Sequence, residues 1–251
     1  MLQLRNQGHI LGPDGARMSK SRGNVIDPDV QVARYGADVV RAYLMFGYRW
    51  AEGGPWSDEN IQGVVRWLHR LWSLVLESSA EEGGTADPAA AAALRRRTHA
   101  AIRQVSDDME RFEFNTVVSA LMELTHAVAE ARQAGLAGTP GFRQSVETLV
   151  LLLAPVAPHL GEELWARLGQ PYSVHQQPWP AFDPAALATD EITLVIQVNG
   201  KVRDRIAVPA GIGEDEARRR ALASETVQRH LGGKAPRQVV YVEGRLVNIV
   251  T

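Results

Sequence analysis

The residues with the strongest claim to chemistry are Arg17, Met18, Ser19, Lys20 and Ser21, continuing into Arg22, Gly23 and Asn24. They lie between a glycine-rich turn, Gly12-Pro13-Asp14-Gly15, and the helix-start pair Asp27-Pro28. Over residues 1–26, the cations Arg5, Arg17, Lys20 and Arg22 face a single acid, Asp14. A short loop that sets an ammonium between two hydroxyls suits a polyanion. Lys20 supplies a point charge, while Ser19, Ser21 and backbone N–H groups supply hydrogen bonds. On residue types alone, a solvated basic turn is the competing reading.

Two further basic groups are candidates for nucleic-acid phosphates. Arg95, Arg96, Arg97 and Arg103 fall on one predicted helix, where they could hold RNA or simply face water. Lys201 and Arg203 stand two apart on a predicted strand and should share a face. There they could meet a phosphate or an unstacked base, or guard a sheet edge against pairing. No metal site is expected: His69, His126, His159 and His230 lack ligand spacing. Glu162 and Glu163 are adjacent on a predicted helix and point apart, so they make no acid–base pair. His9 reads as a polar residue on a strand edge.

Asp27-Pro28 opens a helix predicted to run through Ala37, Val40 and Leu44 to about Phe46. A loop over Gly53-Gly54-Pro55-Trp56 follows, and Ser57-Asp58 then starts the clearest amphipathic helix. Its residues Ile61, Val64, Val65, Leu68, Leu71, Trp72 and Val75 repeat at helical spacing. Residues 78–93 read as a linker that turns into helix at Asp87-Pro88, carrying the arginines to about Glu110. Another helix is expected from Asn115 to about Ala134, stopped by Gly135. The next begins at Thr139-Pro140 and ends in the apolar run Leu149–Ala154, which should be buried all round. Pro155 and Pro158 break it before a short helix over His159–Leu168. Residues 27–168 therefore predict an α-helical bundle. Residues 170–190 are rich in proline and aromatics and read as an irregular connector. From Ile192 the pattern becomes β: a strand, the hairpin signal Asn199-Gly200, a returning strand over Val202–Val208, one helix from Gly213, then strands Gln238–Val242 and Leu246–Val250.

At 251 residues with 45% apolar and 22% charged content, the chain reads as an ordinary globular protein of one or two domains. It has no cysteine, which excludes disulfides and thiolate zinc sites. No apolar run is long enough to span a bilayer and no secretion signal is evident, so a cytoplasmic location without membrane contact is expected. The net charge of −2 argues neither for nor against nucleic acid, because both ends of the chain are locally basic.

Arg17–Ser21 with the trailing Gly23-Asn24 resembles the KMSKS motif of class I aminoacyl-tRNA synthetases. Ala154-Pro155-Val156-Ala157-Pro158-His159-Leu160 with Glu162-Glu163-Leu164-Trp165 is similar to a bundle segment shared by the leucine, isoleucine and valine enzymes. Trp56-Ser57-Asp58, Phe114-Asn115-Thr116, Val198-Asn199-Gly200-Lys201-Val202-Arg203 and Leu246-Val247-Asn248-Ile249-Val250 narrow the resemblance to the C-terminal portion of the leucine-specific group. Neither the heptads of a valine-type end nor a cysteine zinc site is present.

That resemblance implies a mixed fold. Residues 1–50 would be the tail of an α/β Rossmann catalytic domain carrying the KMSKS loop and a stem-contact helix. Residues 51–169 would be an all-α anticodon-binding-type bundle, 170–189 a linker, and 190–251 a small α+β tRNA-binding domain. It implies ATP with Mg2+ as substrate, and tRNA(Leu), leucine and a missing N-terminal catalytic half as partners. It makes Lys20 the catalytic residue and Arg17, Met18, Ser19, Ser21, Gly23 and Asn24 further ATP-loop residues. Arg17 stands where the motif has its first lysine, which keeps the charge but changes its shape. Arg96, Arg103, Lys201 and Arg203 would contact tRNA. His9-Ile10-Leu11-Gly12 is not expected to be the family's His-Ile-Gly-His site, because no helix follows it. This chain alone is therefore expected not to form adenylate. A stand-alone non-catalytic tRNA-binding module, or a valine- or isoleucine-type fragment, are the alternatives.

Overall fold

The computed structural model describes residues 4–81, 83–85, 87–187 and 191–251, and divides into two compact units, 1–187 and 188–251. In the first unit a two-residue strand β1 (Ile10–Leu11) pairs in parallel with β2 (Gly54–Pro55). The loop expected over Gly53-Gly54-Pro55-Trp56 thus contains a strand. Gly54 N donates to the His9 carbonyl and Trp56 N to the Leu11 carbonyl, which fixes the chain just before the basic loop. Glycine is required at residue 53, since a Cβ there would lie 2.2 Å from the His9 carbonyl oxygen.

Asp27 accepts from Asp29 N and caps a helix as its type and position predict, but that helix is not continuous. It splits into α1 (Pro28–Tyr35) and α2 (Ala37–Phe46) at Gly36. Gly36 adopts φ 87° and ψ 154°, a conformation essentially reserved for glycine. Apolar periodicity runs through this break because α2 buries Val40, Ala42 and Tyr43 and α1 packs the half-buried Tyr35 against the same core.

The bundle follows as α3 (Asp58–Ser79), α4 (Pro88–Arg111), α5 (Phe114–Gln133), α6 (Pro140–Leu153) and α7 (Pro158–Arg167). Ser57, Asp87 and Thr139 cap α3, α4 and α6 through their side-chain oxygens. Ile61, Leu71 and Val75 are fully buried on α3, with Trp67, whose indole N–H donates to Thr125 Oγ1 at 3.2 Å. In the run Leu149–Ala154 only Leu151 stays partly exposed. Asp38 of α2 ties α7 down by accepting from Leu160 N at 2.6 Å and bonding His159 Nδ1 at 2.8 Å. That carboxylate at a helix N-terminus meets both the free N–H groups and the positive end of the helix dipole.

The segment expected as an irregular connector is instead strapped to the bundle. It holds a 3-10 turn at Val174–Gln176 and the one-turn helix α8 (Pro184–Leu187). Glu162 of α7 receives Ser173 Oγ and Val174 N. Further on, Trp179 Nε1 donates to Ser106 Oγ at 2.8 Å, Asp183 N donates to His99 Nδ1 at 3.0 Å, and Asp183 pairs with Arg95. Residues 95, 99 and 106 of α4 lie at i, i+4 and i+11, one helical face. Residues 188–190, where the expected linker ends and the last domain begins, lie outside the described residues, as do 1–3, 82 and 86.

The second unit is a four-stranded sheet in the order β4-β3-β6-β5, from β3 (Glu191–Val198), β4 (Lys201–Pro209), β5 (Gln238–Val242) and β6 (Leu246–Val250). Asn199 and Gly200 both take positive φ, 51° and 78°, the turn that matches strand twist in a two-residue hairpin. Leu194, Ile196, Val247 and Ile249 on one sheet face form a core with helical residues Ala217, Ala221, Val227 and Leu231. The single helix expected from Gly213 is two, α9 (Glu214–Ala223) and α10 (Glu225–Leu231). Ser224 divides them: its side chain accepts from Val227 N and caps α10, and donates to Asp204. Serine at a predicted helix interior was the signal for that break.

Candidate functional site

The basic loop is held at its base by one carboxamide. Asn24 Oδ1 accepts from Ser19 N at 2.9 Å, while Asn24 Nδ2 donates to both Asp14 oxygens at 3.1 Å and to the Arg17 carbonyl at 3.3 Å. Asp14 also accepts from Ala16 N. These bonds, led by the Asn24 amide, hold the Asp14 carboxyl below the usual carboxylate range. Gly12 is packed into the clasp: a Cβ there would meet Asp14 Oδ1 at 2.7 Å and Asn24 Nδ2 at 2.9 Å. A backbone bridge between Leu11 and Arg17 closes the turn.

Above the clasp, Lys20–Arg22 forms a single 3-10 turn ended by Gly23 in the left-handed conformation, φ 67°. Ser19 and Ser21 hydroxyls share a hydrogen bond of 2.8 Å across Lys20. Met18 is half-buried against the hydrophobic core and anchors the loop there. Arg17, Lys20 and Arg22 are exposed, and none makes an ion pair among the described residues. Three uncompensated cations on a clasped loop, with two hydroxyls beside the central one, can receive a phosphate chain. Asp14, read from sequence only as the lone acid, is the residue that reasoning missed. An Asp ten residues before an Asn across a glycine turn was its only trace. His9 is exposed beside β1, with no helix after it, as expected.

The helix arginines separate into two kinds. Arg95 pairs with Asp183 and Arg97 with Glu130, each at 2.5 Å, so both charges are compensated. Arg96 and Arg103 have no acidic partner among the described residues and lie at i and i+7, on one face of α4. On the hairpin, Lys201 pairs with Val198, Val202 with Gln197 and Asp204 with Ile196, which leaves Arg203 as the extra residue of a β-bulge. The period-two alternation expected to set Lys201 and Arg203 on one face does not carry through that bulge. Both side chains are exposed. Among the described residues no cluster of three His, Asp or Glu could hold a metal ion, and no helix is long and apolar enough to cross a membrane.

Comparison with known proteins adds to this geometry. Residues 91–217 match the family model "Anticodon-binding domain of tRNA ligase", and residues 3–52 match "tRNA synthetases class I (I, L, M and V)". The chain is 50% identical over 250 residues to a leucine–tRNA ligase of Rubrobacter xylanophilus, covering 100% of this chain and 30% of the relative. It is 48% identical over 248 residues to the leucine–tRNA ligase of Dehalococcoides mccartyi strain 195, covering 99% and 30%. The chain thus spans about 30% of the length of the curated relatives it matches. Among solved structures it resembles Agrobacterium radiobacter K84 agnB2 LeuRS in its ternary complex with tRNA and LeuAMS. The TM-score is 0.83 at 32% identity, over 99% of this chain and 32% of that one. Mycobacterium tuberculosis methionyl-tRNA synthetase shares the fold at a TM-score of 0.57 and 23% identity, over 71% of this chain and 42% of that one.

Proposed function

We infer that this chain, which belongs to the family of class I tRNA ligases carrying an anticodon-binding domain, supplies the phosphate-facing loop and the tRNA-positioning parts of a leucine–tRNA ligase. It is homologous to the C-terminal part of that enzyme. The reaction of the whole protein is ATP-dependent activation of leucine to its adenylate, then transfer to the terminal ribose of tRNA(Leu). The observation that carries the reading is Lys20, an exposed ammonium with no ion-pair partner among the described residues, set between two linked hydroxyls on a loop clasped by Asn24 and Asp14.

Each loop residue has a part. Lys20 meets the β,γ-phosphates and stabilises negative charge as it moves onto the leaving pyrophosphate, an effect felt mainly in the transition state. Ser19 and Ser21 can trade their mutual hydrogen bond for phosphate oxygens, and Arg17 adds a second cation at the loop's entrance. Gly23 gives the turn its left-handed exit, and Asn24 sets the position of the whole segment. Mg2+, when present, neutralises phosphate charge.

Residues 1–50 act as the end of the catalytic domain, the helices to residue 169 as the bundle, and 190–251 as a small tRNA-binding domain. Arg96 and Arg103 on α4 and Lys201 and Arg203 on the hairpin are the cations proposed to meet tRNA phosphates. Such contacts position the nucleic acid without reading its sequence. The test uses the enzyme that contains this chain. Substitutions at Arg96 and Arg103 to alanine should raise the Kd for tRNA(Leu) and leave leucine-dependent pyrophosphate exchange intact. Unchanged tRNA affinity in that variant removes α4 from the interface.

A further inference from the structure

Two segments distant in sequence, residues 198–203 and 246–251, meet at the tip of the β3–β4 hairpin, where Val198 pairs with Ile249. The tip is Asn199-Gly200, with φ 51° and 78°, and both residues are exposed. One residue holds both ends of the Asn199 carboxamide. Thr251 N donates to Asn199 Oδ1 at 3.1 Å, and Asn199 Nδ2 donates to Thr251 Oγ1 at 3.0 Å. The next N–H along the chain has a separate partner: Gly200 N donates to Asn248 Oδ1 at 3.1 Å. Asn199 N donates to the Ile249 carbonyl at 2.9 Å, so the end of the chain secures both residues of the turn.

An asparagine followed by glycine is open to attack by its own backbone. Glycine has no side chain to shield its nitrogen, and its conformational freedom lets that nitrogen reach the asparagine Cγ. Attack forms an N–C bond in a five-membered succinimide and breaks the Cγ–Nδ2 bond. Ammonia leaves with the proton from the glycine nitrogen. Water, the only co-reactant, then opens the ring at either carbonyl and leaves aspartate or isoaspartate. Ring closure needs Gly200 N to turn onto Asn199 Cγ, and such approach geometry governs the rate of an intramolecular reaction. Here the two groups are held by different partners, the N–H by Asn248 and the amide by Thr251. Reaction must wait for the turn to open locally, and its rate follows the population of the open form.

We propose that Asn199 is a modification site, which deamidates spontaneously at a rate set by the clasp of Asn248 and Thr251. The product puts a carboxylate where the turn carries a neutral amide, two residues from Lys201 and four from Arg203. That anion offsets positive charge at the tip. Isoaspartate also adds a backbone atom, which ends the fit to a two-residue turn. Modification therefore weakens the hairpin's hold on a polyanion; this consequence alone rests on the tRNA reading above.

The test is peptide mapping by mass spectrometry after the enzyme containing this chain is aged at mildly alkaline pH. It is run beside Asn248→Ala, Thr251→Val and a free peptide spanning residues 196–203. Conversion at residue 199 should be about tenfold or more slower in the folded wild type than in the peptide. Each variant, shown to be folded by thermal melting, should convert about fivefold faster than wild type, the size of one lost hydrogen bond. Thr251→Val keeps the side chain's shape, so its effect isolates that bond. Wild-type conversion at the peptide's rate overturns the proposal. So does conversion of both variants at the wild-type rate, or no conversion at residue 199 in any folded protein. In a second arm, the aged enzyme and an Asn199→Asp variant should bind tRNA with a salt slope reduced by about one phosphate contact. Conversion at the expected rates with unchanged tRNA binding upholds the site and removes the hairpin from the tRNA reading.

Discussion

Asn24 carries more of the loop than its neighbours with charge. Its carboxamide joins the Asp14 carboxylate, the Ser19 N–H and the Arg17 carbonyl, so it sets where Lys20 can reach. Asn24→Ala in the enzyme containing this chain should slow leucine activation by about tenfold or more, since misplacing a positioned charge by an ångström is enough for such losses. Melting temperature should stay within a degree or two, because the clasp is exposed. A rate equal to wild type would show that the loop is positioned by something else. The clasp also has a pH signature. Asp14 titrates below the ordinary carboxylate value, so its contribution is complete above that ordinary value and is lost as pH falls through the depressed one. An NMR titration should find Asp14 depressed, and Asn24→Ala should return it toward normal. An ordinary value in the wild type would contradict the clasp. None of this was legible from residue types: the loop's chemistry was, but the Asp14–Asn24 partnership needed the turn at Gly12–Gly15 to bring them together.

At the scale of elements, caps and periodicity were readable, and breaks were hidden from periodicity alone. Asp27, Ser57, Asp87 and Thr139 each start the helix their side chains predict. Gly36 and Ser224 each divide a helix that apolar spacing alone would run through, because spacing reports the buried face and not backbone continuity. Gly36→Ala should therefore lower stability by about 1–3 kcal/mol, the cost of forcing a side chain into that backbone conformation. The cost lies in the backbone alone, since the added Cβ meets nothing within 4 Å. A neutral melting temperature would mean the two helices tolerate a different joint. The strap was hidden for another reason. Proline and aromatic content at 170–187 reads as irregular chain, and it is irregular, yet Trp179, Asp183 and Ser173 tie it to α4 and α7. Replacing Trp179 and Asp183 with alanine should speed limited proteolysis within 170–187 severalfold. Equal cleavage of wild type and variant would return that stretch to a free connector.

At the scale of the whole molecule, two units divide the chemistry. The first holds the basic loop proposed to meet phosphate, with Arg96 and Arg103; the second holds the hairpin with Lys201 and Arg203. Replacing Lys201 and Arg203 together should weaken tRNA binding and reduce its salt slope by about one to two phosphate contacts, with adenylate formation unchanged. An unchanged slope would leave these cations as guards of an edge strand. The bulge at Arg203 makes separate single variants worthwhile, because the two side chains need not act on one face. The central claim rests on Lys20, and leucine-dependent pyrophosphate exchange by the complete enzyme tests it most directly. Lys20→Ala should lower the exchange rate by about two to three orders of magnitude, the size of one lost transition-state charge, with little change in the KM for leucine. Exchange at the wild-type rate in that variant would contradict the account.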